Sequence, residues 1–170
     1  MKCPKCKGEY NDNVKLCADC NVPLVPDNAD LLKEEIIPEE KPLSLIENIS
    51  EHLKFRGFKI SSNENFITAS HENSPDLHLT EMENGILFEF VFFTKDEINS
   101  GNIDYLKFIN HCNNDVPILR ALHNEADNSF ILDVWFHGAY EKTPFEDFLR
   151  LIYLDLNIIR ENDNFKAFIK

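Results

Sequence analysis

Four cysteines in the opening stretch carry the clearest chemistry of the chain, as Cys3-Pro4-Lys5-Cys6 and Cys17-Ala18-Asp19-Cys20. Each Cys-x-x-Cys turns tightly enough to present two sulfurs on one side of the backbone. Two such turns, ten residues apart, close a tetrahedral four-thiolate site around Zn²⁺ with metal–sulfur bonds of about 2.3 Å. Four protein ligands leave no open position for a substrate, so one structural ion held by Cys3, Cys6, Cys17 and Cys20 is expected. A segment this short builds no core of its own, and metal binding would supply most of its folding energy. A redox dithiol would need a single Cys-x-x-Cys on a thioredoxin-like scaffold, which the sequence lacks. The fifth cysteine, Cys112, falls on an apolar helical stripe and reads as a buried thiol, not a nucleophile.

No second constellation of catalytic residues emerges. Gly8, Gly57, Gly85, Gly101 and Gly138 are too dispersed for a phosphate-cradling loop. Neither a Gly-x-Ser-x-Gly elbow nor a His-Glu-x-x-His helix occurs. His111 and Cys112 are adjacent and so diverge on a helix. The turn Asn124–Asn128 lacks the central Gly and terminal Glu of a calcium loop. A non-enzymatic protein is expected.

The elements that must position these residues follow from periodicity. Residues 27–42, with six acidic groups, two Lys and two Pro, read as an acidic linker, with room for a short helix over Leu31–Ile37 before Pro38. From Leu43 a folded domain begins. Ser44-x-x-Glu47 forms a capping box for a helix bearing Ile46, Ile49 and Leu53 and stopped by Gly57. Strands are predicted at Phe66–His71, Leu77–Met82 and Ile86–Thr94, the last two joined by Asn84-Gly85, a dipeptide suited to positive φ at both turn centres. Asn102 caps a second helix with Ile103, Leu106, Ile109 and Cys112 on one stripe, and Asn110 and Asn113 are read as its capping or turning residues. Strands at Ile118–His123 and Ser129–Phe136 follow. Thr143-Pro144-Phe145-Glu146 then starts a third helix as N-cap, first helical residue and capping Glu. The order α-β-β-β-α-β-β-α predicts an α+β fold, an antiparallel sheet with helices on one side, preceded by the small metal module. The domains are thus 1–26, 27–42 and 43–170.

Two strands carry a further signal. One face of each is purely apolar: Ile86, Phe88, Phe90 and Phe92, and Phe130, Leu132, Val134 and Phe136. The opposite face is more apolar than a solvated surface needs. Val91, Phe93, Ile131 and Trp135 form there a patch for a protein partner or a second copy of the chain, or else a seat for the linker or metal module folded back.

Charge narrows the partners. The chain of 170 residues has 17 Lys and Arg against 30 Asp and Glu, a net −13, which disfavours non-specific binding to nucleic acid or to anionic membranes. Residues 1–26 hold four Lys against three acidic groups. Lys2, Lys5, Lys7 and Lys15 therefore keep a nucleic-acid-associated regulator in view as the second reading. Met1-Lys2-Cys3-Pro4 opens without an apolar leader, and the longest apolar run, near Ile86–Phe93, is interrupted by Glu89. Cytoplasmic residence is expected, where thiols stay reduced and favour metal.

Two resemblances add to this. The segment CPKCKGEY…LCADCNVPLV resembles the zinc ribbons at the start of many prokaryotic proteins, with Lys7 and Asn21 where Gly is frequent. A rubredoxin-like iron site also uses two Cys-x-x-Cys turns, but at a longer separation. Residues of about 43–160 resemble the YbjN-type family of bacterial sensory-transduction regulators, which share the fold of type III secretion chaperones. That likeness rests on the element order, on Leu106-Lys107-Phe108-Ile109-Asn110-His111-Cys112-Asn113, and on Ile118–Ala121 with the hairpin strand SFILDVWF. It implies a small acidic domain, often dimeric, that binds other proteins without catalysis.

Overall fold

The computed structural model describes residues 1–11, 13–26, 42–63 and 65–170. They fall into two compact units, Met1–Pro42 and Leu43–Lys170. The linker helix expected over Leu31–Ile37 lies outside the described residues.

In the larger unit, α1 (Leu45–Phe55) begins with the predicted capping box: Glu47 N–H donates to Ser44 Oγ, and Ser44 N–H donates to the Glu47 carboxylate. Gly57, at φ +92°, ends the helix, and the next residue, Phe58, donates its N–H back to the Leu53 carbonyl. Six strands follow in chain order, with the helices between and after them: β1 (Lys59–Ser62), β2 (Ile67–His71), β3 (Ser74–Met82), β4 (Gly85–Phe93), α2 (Ile103–Asp115), β5 (Arg120–Asn124), β6 (Ser129–His137), α3 (Lys142–Glu161) and α4 (Asp163–Phe168). All neighbours are antiparallel in the order β1-β2-β3-β4-β6-β5. The α+β architecture is as expected, with β1 and α4 in addition. β1 (KISS) escapes periodicity because it is a short edge strand with one apolar residue, Ile60.

The predicted inner faces make the core. Ile86, Phe88, Phe90, Phe130, Leu132, Val134 and Phe136 are buried together with Phe145, Leu149, Ile152, Leu156 and Ile159 of α3. Phe145 meets Phe88 and Phe136 at centroid distances of 6.1 and 5.3 Å, within the range of favourable ring pairs. The short α4 closes the other end, with Phe165 against Phe92 at 5.3 Å and Phe168 against Tyr105 at 5.6 Å.

Three local expectations are corrected. The β3–β4 hairpin exists, but Met82 pairs with Gly85, so Glu83 and Asn84 form the loop and neither Asn84 nor Gly85 has positive φ. Gly85 is required for another reason: a Cβ there would lie 2.2 Å from the Phe136 carbonyl and 3.1 Å from the Trp135 ring. Helix α3 begins earlier than Thr143, at Lys142 behind an uncapped Glu141. Pro144 is tolerated there because first-turn N–H groups have no helical partner. Glu146 does not cap; it accepts from buried His52 (2.8 Å) and pairs with Arg56, joining α1 to α3. Asn113 does not cap α2 either. Its side chain accepts from Ala121 N–H (2.7 Å) and donates to the Ala121 carbonyl (3.0 Å). It thereby occupies the free edge of β5, where another chain would otherwise pair.

Candidate functional site

The four cysteines converge. Their sulfurs all lie within 4.8 Å of one another, with Cys6 Sγ and Cys17 Sγ 3.6 Å apart. A tetrahedral ion with metal–sulfur bonds of about 2.3 Å requires sulfur edges of about 3.8 Å, so the set fits such an ion.

Two near-identical turns build it. In the first, Lys7 N–H donates to the Cys3 carbonyl, Cys3 N–H to the Gly8 carbonyl, and Cys6 N–H to Cys3 Sγ (3.4 Å). In the second, Asn21 N–H donates to Cys17 O, Cys17 N–H to Val22 O, and Cys20 N–H to Cys17 Sγ (3.3 Å). Lys7 (φ 62°) and Asn21 (φ 52°) hold the left-handed conformation, the place where glycine is frequent in such turns. Pairing runs across each turn, Lys2 with Glu9 and Leu16 with Pro23, while Lys2 also bridges to Val25. Between the turns, Tyr10 N–H donates to the Met1 carbonyl, and the Lys15 carbonyl accepts from Leu24 N–H. Cys3, Cys17 and Leu24 are the buried centre of the module, so two of its three core side chains are sulfur donors.

Hydrogen bonds and burial shift the thiols in opposite directions. The Tyr10 hydroxyl donates to Cys17 Sγ at 3.1 Å, and this bond holds the Cys17 thiol down to about 6. Burial, then hydrogen bonds from the other thiols, pushes Cys20 up to about 12. At Cys6 a hydrogen bond from the Gly8 backbone favours the thiolate, but Cys3, Cys17 and burial together outweigh it and raise the thiol. Cys17 is thus favoured as a thiolate, while Cys6 and Cys20 resist ionisation beside it. Tyr10 is the residue that spacing rules miss. Its signal is the one aromatic ring of residues 1–26, placed between the two Cys pairs. Tyr10→Phe is expected to weaken metal binding about tenfold, the low end for loss of a partner to a ligand, measured by competition with a chromophoric chelator. An unchanged affinity would assign Tyr10 to packing alone.

Elsewhere Cys112 is buried on α2, and burial pushes its thiol up to about 12, which leaves it unreactive near neutrality.

The second group of predicted residues sits on the outer face of the sheet. Phe93 and Trp135 are 58% and 42% exposed, while Val91 and Ile131 are half-buried and directly paired. Trp135 pairs with Leu87, four residues away along the strands. Between these pairs runs a polar row across the sheet: Thr68, His78, Glu89, Asp133 and Arg120 in consecutive register. The four residues therefore share a face but do not form one continuous patch. Asp133 is satisfied by a two-pronged bond from Arg120 at 2.9 and 2.6 Å. His78 Nδ1 contacts Thr68 Oγ1 at 3.2 Å. Burial, then the charge of Asp133, raises the Glu89 carboxyl above its ordinary range, with His78 opposing. Beside Glu89 a groove of about 460 Å³ is lined by Phe66, Asp76, His78, Val91 and Phe93.

Among the described residues no helix is long and apolar enough to cross a membrane. No protein-family model and no curated protein matches the chain. Among solved structures, the chain is similar to the crystal structure of YbjN from E. coli, provisionally described as a transcription regulator. The TM-score is 0.61 at 11% identity, covering 74% of this chain and 95% of that one. At that identity the likeness shows a YbjN-like fold.

Proposed function

We propose that the protein is a non-enzymatic interaction module with a regulatory or chaperone-like role: a zinc ribbon, one structural Zn²⁺ on Cys3, Cys6, Cys17 and Cys20, followed by a YbjN-like domain that binds a protein partner. The observation that carries the partner reading is the outer sheet face, where Trp135 and Phe93 stand exposed. Aromatic side chains of this kind dominate interface energetics. The blocked β5 edge supports the face over strand addition at that side. Zinc is favoured because four thiolates in a closed tetrahedral set suit a soft, redox-inert ion. The provisional description of YbjN as a transcription regulator supports a regulatory role. It also sustains the second reading, in which the ribbon lysines contact nucleic acid.

The test places a photo-crosslinking amino acid at Trp135 in the intact chain, in its own cell, with Ile158 on α3 as the control position. A discrete protein adduct from position 135, absent from position 158, is the expected result. Identical adducts from both, or none from 135, would overturn the partner reading. Adducts to nucleic acid from Lys5 or Lys15 positions, with a steep salt dependence of binding, would instate the second reading.

A further inference from the structure

The outer face has a chemical bias that its exposed rings alone do not reveal. Along the polar row, Thr68 contacts His78, and Arg120 embraces Asp133 with both prongs of its guanidinium. Glu89 stands between these two pairs and makes no hydrogen bond or ion pair among the described residues. It is half-buried, opposite Asp133 in register and beside the groove that Asp76 also lines. A carboxylate so placed is poorly hydrated, faces a like charge, and gains most from an incoming cation. On either side of it lie apolar pairs, Val91 with Ile131 and Leu87 with Trp135.

We infer that the partner lays a basic segment across this face, with a Lys or Arg side chain pairing with Glu89 and apolar neighbours covering Val91 and Trp135. This rests on the interaction reading above and names the chemistry of the occupant. Charge on the page argues against a second copy of the chain and against the linker. A second copy would bring a domain of the same sign, with 21 acidic groups against 11 basic in residues 43–170, and would set one uncompensated Glu89 near another. The linker, with six acidic groups against two Lys, is likewise repelled. Arg120 offers no relief, because Asp133 already holds it. A cationic segment with a hydrophobic residue two positions from the charge matches the spacing of the row and its flanking pairs, since alternate strand residues share a face.

Trp135 is the only tryptophan, so its emission reports occupancy of this face. The probes are three capped ten-residue peptides alternating Leu with Arg, with Ser or with Glu, titrated into the zinc-loaded full chain. The Leu/Arg peptide is expected to shift Trp135 emission to the blue saturably, with the Leu/Ser peptide at least tenfold weaker and the Leu/Glu peptide inert. Glu89→Gln, a near-isosteric change, should weaken the Leu/Arg peptide about tenfold. Asp104→Asn on α2, which removes the same charge elsewhere, should leave it within twofold. That contrast separates pairing at Glu89 from attraction to an acidic protein at large. Equal binding of the Leu/Arg and Leu/Ser peptides, or no effect of Glu89→Gln, would overturn the cation assignment while the face remained a docking surface. Trp135 shielded from acrylamide in the free full chain, with no peptide response, would put a second copy or another segment of the chain on the face. That result would overturn the cation assignment and the partner reading together.

Discussion

Cys17→Ser is expected to strip the chain of its metal and unfold residues 1–26 while the larger unit's unfolding transition stays in place. Cys17 is 1% exposed and receives both the Cys20 N–H and the Tyr10 hydroxyl. It is at once a proposed ligand, a core residue and the anchor of the second turn. Without the ion the module retains one buried aliphatic side chain, Leu24, beside its thiols. Burial of one such group contributes about 2 kcal/mol, against about 1 to 2 kcal/mol of backbone entropy for every residue ordered. Zinc binding to comparable four-ligand modules is worth about 10 to 16 kcal/mol near neutrality, so an ion bound there would decide whether the fold exists. Elemental analysis of the parent should give one Zn per chain. Cleavage after Lys5, Lys7 and Lys15 by trypsin should be slow in the parent and fast in the variant or after chelation. A variant that keeps its metal and its protection would remove Cys17 from the ligand set.

The second large effect falls on Asp155, a carboxylate with no exposure in the middle of α3. One of its oxygens, Oδ2, accepts from Ile118 N–H at 2.8 Å and Leu119 N–H at 2.9 Å. These are the last two residues before β5, so Asp155 fixes where the chain leaving α2 enters the sheet. Its other oxygen, Oδ1, is buried and makes no hydrogen bond among the described residues. Asp155→Ala leaves two N–H donors without a partner and opens a small void. The expected loss is about 3 kcal/mol, at about 1 to 3 kcal/mol for each orphaned buried donor. Asp155→Asn keeps an oxygen for both donors and should lose roughly half as much. Urea unfolding followed by Trp135 emission measures both. Equal stability of Asp155→Ala and the parent would show that the N–H groups find other partners.

Sequence periodicity reads well where a property depends on near neighbours along the chain. The Ser44–Glu47 box, the Asn102 cap and the Gly57 stop are contacts within a few residues. The apolar faces of β4 and β6 follow from the two-residue repeat of an extended strand. Even so, Gly85 shows how one residue serves a purpose that local rules misassign. Asn-Gly suggests a mirror-image turn, whereas the glycine is needed because the β6 backbone passes too close for any Cβ. Asp155 and Asn113 were equally unreadable, because each bonds backbone groups in another element.

At the cysteine cluster, residue type and spacing alone predicted which four sulfurs converge, because two sulfurs three positions apart must share one side of a tight turn. At the sheet face, alternation determined which residues lie outward. Only the tertiary structure decided that a carboxylate pair divides Val91 and Ile131 from Leu87 and Trp135, and that Arg120 satisfies one member and leaves the other. The reason is that neighbours across a sheet are set by strand register and strand order. Glu89 and Asp133 are far apart along the chain and meet only when β6 takes its place beside β4.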